Sequence, residues 1–286
     1  MSGKVVLVTG ATNGIGKVAA RELAKMGATT VIVGRNPDKT QTTIAEIKQA
    51  SANSQVHGLI ADLSVMDSVR SLAEEFKRNF DRLDVLLNNA GAVFSERQET
   101  ADSLERTFAL NHLNYFLLTN LLLDVLKRSA PARIVNVSSD AHRMVRRMNF
   151  EDLNSEKSWG IMGWKAYGQS KLANILFTRE LARQLEGSGV TANAVHPGGV
   201  STGFGKNNGG LMALMMKAAG PLFMKTPEQG AETLIYLASA PEVQGVSGGY
   251  FADRHPVEPS PAAKDDAAAQ RLWEISAKWV GLAARV

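Results

Sequence analysis

Short runs rich in Val, Ile and Leu recur along the chain at 5–8, 31–33, 56–60, 85–87, 134–137 and 191–195, and longer segments of helical periodicity separate them. A strand open to water on one face alternates apolar and polar residues, whereas these runs are nearly continuous. They therefore belong to strands covered on both faces, which in practice means a parallel sheet with helices on each side. The helical segments are expected at 14–26, 39–50, 65–80 (with Ser64 as candidate N-cap), 111–127, 166–186 and 228–238. A short strand at 250–252 closes the pattern. Strict alternation of the two element types predicts an α/β fold with a doubly wound, mostly parallel sheet.

No internal repeat and no long linker divides the 286 residues, a length that fits one generous α/β domain. Residues 1–286 are read as a single domain. Its tail, 256–286, consists of a proline- and alanine-rich stretch and a final helix at 267–282 that is expected to dock on the body. The chain has no cysteine, which excludes disulfides, thiolate metal sites and cysteine nucleophiles together. The first apolar run is already a strand, so no signal peptide is expected, and a soluble cytoplasmic protein is the default. The apolar stretch 211–224 is broken by Lys217, Gly220 and Pro221 and falls short of a bilayer span. A net charge of +4 without basic–aromatic interleaving suits an anionic small molecule, and neither nucleic acid nor membrane is expected as a partner.

The first strand runs directly into TGATNGIG at 9–16, and a helix starts within it. Glycine at 10 permits a tight turn, glycine at 14 lets backbone approach a pyrophosphate, and glycine at 16 lets helix and strand pack closely. The helix N-terminus adds free N–H groups and a partial positive charge. Gly10, Thr12, Asn13, Gly14, Ile15 and Gly16 are thus candidate dinucleotide-binding residues. The second strand ends in VIVGRN, with Arg35 where a carboxylate would favour the ribose hydroxyl of NAD. A guanidinium offers paired, permanently charged donors to a 2′-phosphate, so NADP(H) is expected rather than NAD(H).

Tyr167 and Lys171 lie four apart on a predicted helix and share one face. A nearby ammonium favours the phenolate and lowers a tyrosine pKa from its free value of about 10, which makes a proton donor and acceptor for an alcohol–carbonyl couple. Ser138 and Ser139 end the fifth strand, at the sheet edge where such folds bind ligands, and a hydroxyl there can hydrogen-bond the reacting oxygen.

With TGATNGIG at 9–16, ADL at 61–63, NNAG at 88–91, SS at 138–139, YGQSK at 167–171 and HPG at 196–198 in this order, the chain resembles the short-chain dehydrogenase/reductase family over roughly residues 4–252. The resemblance implies a Rossmann-type oxidoreductase domain acting on CH–OH groups, with Asn111, Ser139, Tyr167 and Lys171 as catalytic residues. Of the serine pair, it implies Ser139. It implies that Asn111 holds a proton-relay water and that Lys171 binds the nicotinamide ribose while lowering the Tyr167 pKa. Asp62 and Leu63 would contact the adenine end, Asn88 and Ala90 would lie along the cofactor, and Val200 and Thr202 would lie near the nicotinamide. It further implies pairing through the helices at 111–127 and 166–186, as a homodimer or homotetramer. The long stretch between Ser139 and Tyr167, SKLANILFTRELARQL, GYFADRHPVEPSP and the terminal RLWEISAKWVGL resemble the retinol-dehydrogenase-like branch. Members of that branch usually carry an N-terminal membrane segment, whereas this sequence opens on a strand.

Residues 201–225 follow the sixth strand and hold five glycines and four methionines among other large apolar side chains. They admit two readings, a substrate lid or a helix facing the core or a second subunit. A Met-rich lid adapts its shape to a small hydrophobic alcohol, aldehyde or ketone, as a carbonyl reductase would need. His112, His142 and His196 lack ligand spacing and are expected to pack or hydrogen-bond, and no metal is expected. Glu74–Glu75 and Asp265–Asp266 are expected to be solvated helix surface. A catalytically silent dinucleotide-binding scaffold or redox sensor is the alternative, and the intact set of four catalytic positions argues against it.

Overall fold

The computed structural model describes residues 1–200 and 224–282. Strands β1 (Val5–Thr9), β2 (Thr29–Gly34), β3 (Val56–Ile60), β4 (Val85–Asn88), β5 (Ala132–Val137), β6 (Val190–His196), β7 (Tyr250–Ala252) and β8 (His255–Pro256) form one sheet in the order β3-β2-β1-β4-β5-β6-β7-β8. Neighbours from β3 through β7 pair parallel, and β8 joins antiparallel. The chain winds outward from β1 to β3 and then returns to β4 on the other side of β1. That reversal opens a crevice beyond the carboxyl ends of β1 and β4.

The expected double coverage is visible within single strands. Along β1, Val5 and Leu7 enter one core while Val6 and Val8 enter the other, as the two-residue period requires. Helices α1 (Gly14–Lys25), α2 (Pro37–Ser51) and α7 (Pro227–Ser239) cover one face. Helices α3 (Met66–Asn79), α5 (Asn114–Arg128), α6 (Trp164–Gln184) and α8 (Asp266–Trp279) cover the other. Each fully buried Val, Leu or Phe side chain contributes roughly 1.5–3 kcal/mol. Helix α8 packs on this face: Trp273 sits with ring centroids 4.8 Å from Phe116 and 5.8 Å from Phe177. Among the described residues no helix is long and apolar enough to cross a membrane.

Two local expectations are corrected. The helix placed at 111–127 begins earlier: α4 (Arg106–Phe108) leads through a π-helical turn, Ala109–Leu113, into α5. Glu105 starts this rod by accepting hydrogen bonds from the Thr107 and Phe108 N–H groups at 2.5 and 2.8 Å. Ser64 does not cap α3, whose N-cap position is Val65 without a side-chain bond; its hydroxyl turns instead to Asp62. Asp265 and Asp266 are exposed, as expected of solvated helix surface; Asp265 caps α8 through the Ala268 N–H at 2.9 Å, and Asp266 meets Arg179 at 2.9 Å. The lid reading of 201–225 and the position of Thr202 lie outside the described residues, apart from Met224 and Lys225.

Candidate active site

The turn after β1 is shaped by what a side chain would strike. Gly10 has φ +64°, and a Cβ there would lie 2.8 Å from the Ala90 Cα; a Cβ on Gly16 would lie 2.7 Å from the Gly10 carbonyl oxygen. Glycine therefore lets the loops after β1 and β4 touch. Asn89 ties them, donating its side-chain amide to the Thr9 and Gly10 carbonyls at 2.8 and 3.2 Å, while the Thr9 hydroxyl accepts from the Asn89 and Ala90 N–H groups. Asn13 caps α1 by accepting from the Gly14 N–H at 2.8 Å. Thr12, Asn13, Gly14 and Ile15 line one wall of a crevice of about 480 Å³. A tight glycine turn opening onto a helix N-terminus fits the phosphates of a dinucleotide.

At the end of the crevice beyond β2 and β3, Arg35 stands 3.8 Å from Asp62, with 63% of its side chain exposed. Burial works to raise the Asp62 pKa, but the Ser64 hydroxyl and N–H and the Arg35 charge outweigh it and hold the carboxyl below its usual range. Leu63 and Ala90 also line this wall.

At the other end Ser139, Tyr167 and Lys171 converge on the same crevice. The Ser139 hydroxyl is hydrogen-bonded to the Tyr167 phenol and also accepts from the Ala141 N–H at 3.2 Å. Lys171 Nζ lies 5.4 Å from the centre of the Tyr167 ring and donates to the Val137 carbonyl at 3.1 Å. Ser138 faces the other way, its hydroxyl donating to the Lys171 carbonyl at 2.7 Å, so one serine secures the helix and the next faces the crevice. The segment after Ser139 is fixed by two histidines. His142 Nδ1 lies 2.7 Å from the Ser139 carbonyl, and the Nδ1 of His196 accepts from the Asp140 N–H at 3.3 Å.

The electrostatics differ from the expectation that the ammonium lowers the tyrosine pKa. Burial pushes the Tyr167 phenol above its ordinary value despite the Ser139 hydrogen bond, and the same burial pushes Lys171 down to about 7. Desolvation penalises both charged forms.

Two other positions sit behind the crevice wall. Asn88, expected along the cofactor, is fully buried; its amide donates to Thr119 and Asn136 at 3.0 and 2.8 Å, so it joins β4, β5 and α5. The reason is register: the last residue of β4 points into the core, and the chain turns toward the crevice only at Asn89. Asn111 lies in the π-helical turn, where its side-chain oxygen accepts from the Ala92 N–H at 2.9 Å and its amide donates to Ala92 O and Ser170 Oγ. Val200 also lines the crevice.

Phe94, Arg106, Leu110 and Trp164 also line the crevice and carry no sequence motif. Trp164 precedes Tyr167 by three residues on α6, with the two rings 5.6 Å apart and perpendicular. The i, i+3 relation would have revealed it had the helix been started at 164 rather than 166. Arg106 and Leu110 were hidden because the rod carrying them begins before 111.

A family model described as short chain dehydrogenase matches residues 4–150 and 154–210. Human retinol dehydrogenase 14 is 46% identical over 99% of this chain and 88% of its own length. The structure of an uncharacterized protein from Mycobacterium paratuberculosis superposes with a TM-score of 0.79 at 34% identity, covering 100% of this chain and 96% of that one. The Pseudomonas aeruginosa RhlG/NADP active-site complex superposes with a TM-score of 0.70 at 27% identity, covering 92% and 97%.

Proposed function

The chain belongs to the short-chain dehydrogenase family, oxidoreductases that act on CH–OH groups with a nicotinamide dinucleotide, and on that premise we propose that it interconverts a hydrophobic alcohol and its aldehyde or ketone with NADP(H). The observation that carries this reading is the convergence of Ser139, Tyr167 and Lys171 on one crevice whose opposite wall is the glycine turn. Gly10 to Gly16 would hold the pyrophosphate and Arg35 the 2′-phosphate; the NADP in the RhlG complex supports that preference.

The bound dinucleotide supplies or accepts the hydride. The chain's own residues do the rest. In reduction, the Ser139 hydroxyl orients the carbonyl oxygen, and the Tyr167 phenol gives its proton to the alkoxide that develops there. Burial keeps that phenol protonated, the form reduction requires. Lys171, anchored on Val137, stands beside the ring and stabilises the phenolate left behind when it carries its proton. Asn111 holds Ala92 and α6 in register behind them. Phe94, Leu110, Trp164 and Met224, beside Arg106, give the remaining wall an apolar stretch that suits a hydrophobic substrate.

The test is reduced-dinucleotide consumption by the purified protein with decanal, retinal and aromatic ketones, using NADPH and NADH in turn. Turnover that prefers NADPH and collapses in Tyr167→Phe is expected. Failure of every carbonyl and alcohol in the panel, with dinucleotide binding intact, would favour a silent scaffold instead.

A further inference from the structure

Helix α6 carries a polar stripe through the apolar core: after Tyr167 and Lys171 come Asn174 and Thr178, both fully buried. Asn174 lies one turn beyond the lysine, and its side-chain amide uses both hydrogens. One goes to the Asn111 carbonyl at 2.9 Å and the other to the Val137 carbonyl at 3.1 Å. Val137 is also the acceptor for Lys171 Nζ, and Asn111, in the π-helical turn, bonds Ser170 on α6. Asn174 thus holds the carbonyl on which the lysine is anchored and ties it to the backbone of the π-helical turn.

What holds Asn174 is a histidine. Its side-chain oxygen lies 3.3 Å from His112 Nδ1, and His112 Nε2 lies 2.9 Å from the Ser276 hydroxyl on α8. Because Asn174 presents an oxygen, Nδ1 must carry the ring proton; Nε2 then accepts from Ser276. The direction of every hydrogen bond follows: Ser276 to His112, His112 to Asn174, Asn174 to the two carbonyls. His112 is fully buried among Phe108, Phe116 and Phe177, and burial pushes its pKa down to about 4, so it stays neutral. The titratable rings facing Lys171 are Tyr167 on its own helix and Tyr115 on α5. A buried polar chain of this kind is stable only when each member has its partner.

The geometry points to His112, Asn174 and Ser276 as positioning residues for Lys171, which makes the docked C-terminal helix part of the catalytic scaffold. This rests on the reading that Tyr167 and Lys171 carry the chemistry, and the experiment separates the two. The Lys171 side chain is followed by NMR of lysine-labelled protein without dinucleotide, its resonance assigned by its loss in Lys171→Met. In His112→Leu and Ser276→Ala the Lys171 titration midpoint is expected to move by about half a unit or more, and kcat for decanal or retinal to fall on the order of tenfold in the former and about twofold in the latter. His112→Gln, which can still donate to Asn174, is expected to recover most of both. A merely structural role lowers the melting temperature and leaves the midpoint where it was; that result in Ser276→Ala and in any folded His112 variant overturns the inference. If His112→Leu does not fold, Ser276→Ala and His112→Gln decide by the same midpoint. Tyr167→Phe is measured alongside. Lost turnover there with unmoved midpoints sinks the positioning role alone, whereas retained turnover sinks the catalytic reading and the inference with it.

Discussion

The two ends of the crevice handle charge in opposite ways. At the end proposed to hold the adenosine, Arg35 is mostly exposed and meets Asp62 only at 3.8 Å, so water and salt screen the pair. At the end proposed to be catalytic, Tyr167 and Lys171 are 6% and 2% exposed, and desolvation moves both toward their neutral forms. Under the proposed function, the first end would adjust which dinucleotide is preferred, in small increments. The other would decide whether a proton can move, and there a single atom would change the outcome by orders of magnitude.

That contrast sets a descending series of expected effects. Tyr167→Phe removes the proton donor and should lower kcat by about 10²–10⁴-fold while dinucleotide affinity holds. Single-turnover rates and a binding titration check it, and a loss under tenfold would erase the contrast. Ser139→Ala removes one donor to the reacting oxygen and should lower kcat on the order of 10²-fold, with little change in the dinucleotide KM. Arg35→Ala should reduce kcat/KM with NADPH by about tenfold, the equivalent of roughly 1.4 kcal/mol, and leave NADH nearly unaffected. Raising ionic strength should shrink that NADPH advantage in the wild type; an advantage insensitive to salt would mean that the adenosine end is not screened.

The smallest effect is on stability. The folded pKa of Lys171, about 7, lies below the ordinary 10.5. Between those values the unfolded chain binds more protons, so stability rises with pH through that window. Below about 7 the lysine is charged in both states, and the folded chain bears the full desolvation penalty. Lys171→Met removes that penalty but also the hydrogen bond to Val137, so a net rise in the melting temperature of a few degrees, on the order of what 1 kcal/mol produces, is expected in the dinucleotide-free protein at pH 6. The gain should fade as pH approaches 10. A gain that is flat across this range would show that Lys171 is not desolvated.

The layers of the sheet and the glycine turn were legible because they follow from local rules, a two-residue period and the sterics of positive φ. Asn88 and Asn89 show where such rules stop. Both stand in one motif, but the end of β4 sends the first into the Thr119–Asn136 network and the second to the glycine turn. The choice between Ser138 and Ser139 is of the same kind: sequence placed both at the strand end, and only the packing of α6 assigns one to the Lys171 carbonyl. Leu110 and Arg106 were missed because their helix is started by Glu105, whose side chain reads as an ordinary surface carboxylate until the fold buries it, and Trp164 because α6 starts at a left-handed Gly163 with no side-chain cap to mark it. The direction of the Tyr167 shift was misjudged for a related reason. Spacing reveals a neighbouring charge, but it does not reveal how much water is excluded.

Periodicity and spacing alone determined that this chain would build a doubly wound sheet, open a glycine turn at its first helix, and align a phenol and an amine on one face of another. Those properties belong to neighbours along the chain. Which side chains reach the crevice, which carbonyl anchors the lysine, and that a serine near the C-terminus connects to it through His112 and Asn174 were decided by the tertiary structure. Hydrogen-bond partners and desolvation arise between segments distant in sequence, and they take definite values only once the layers have closed.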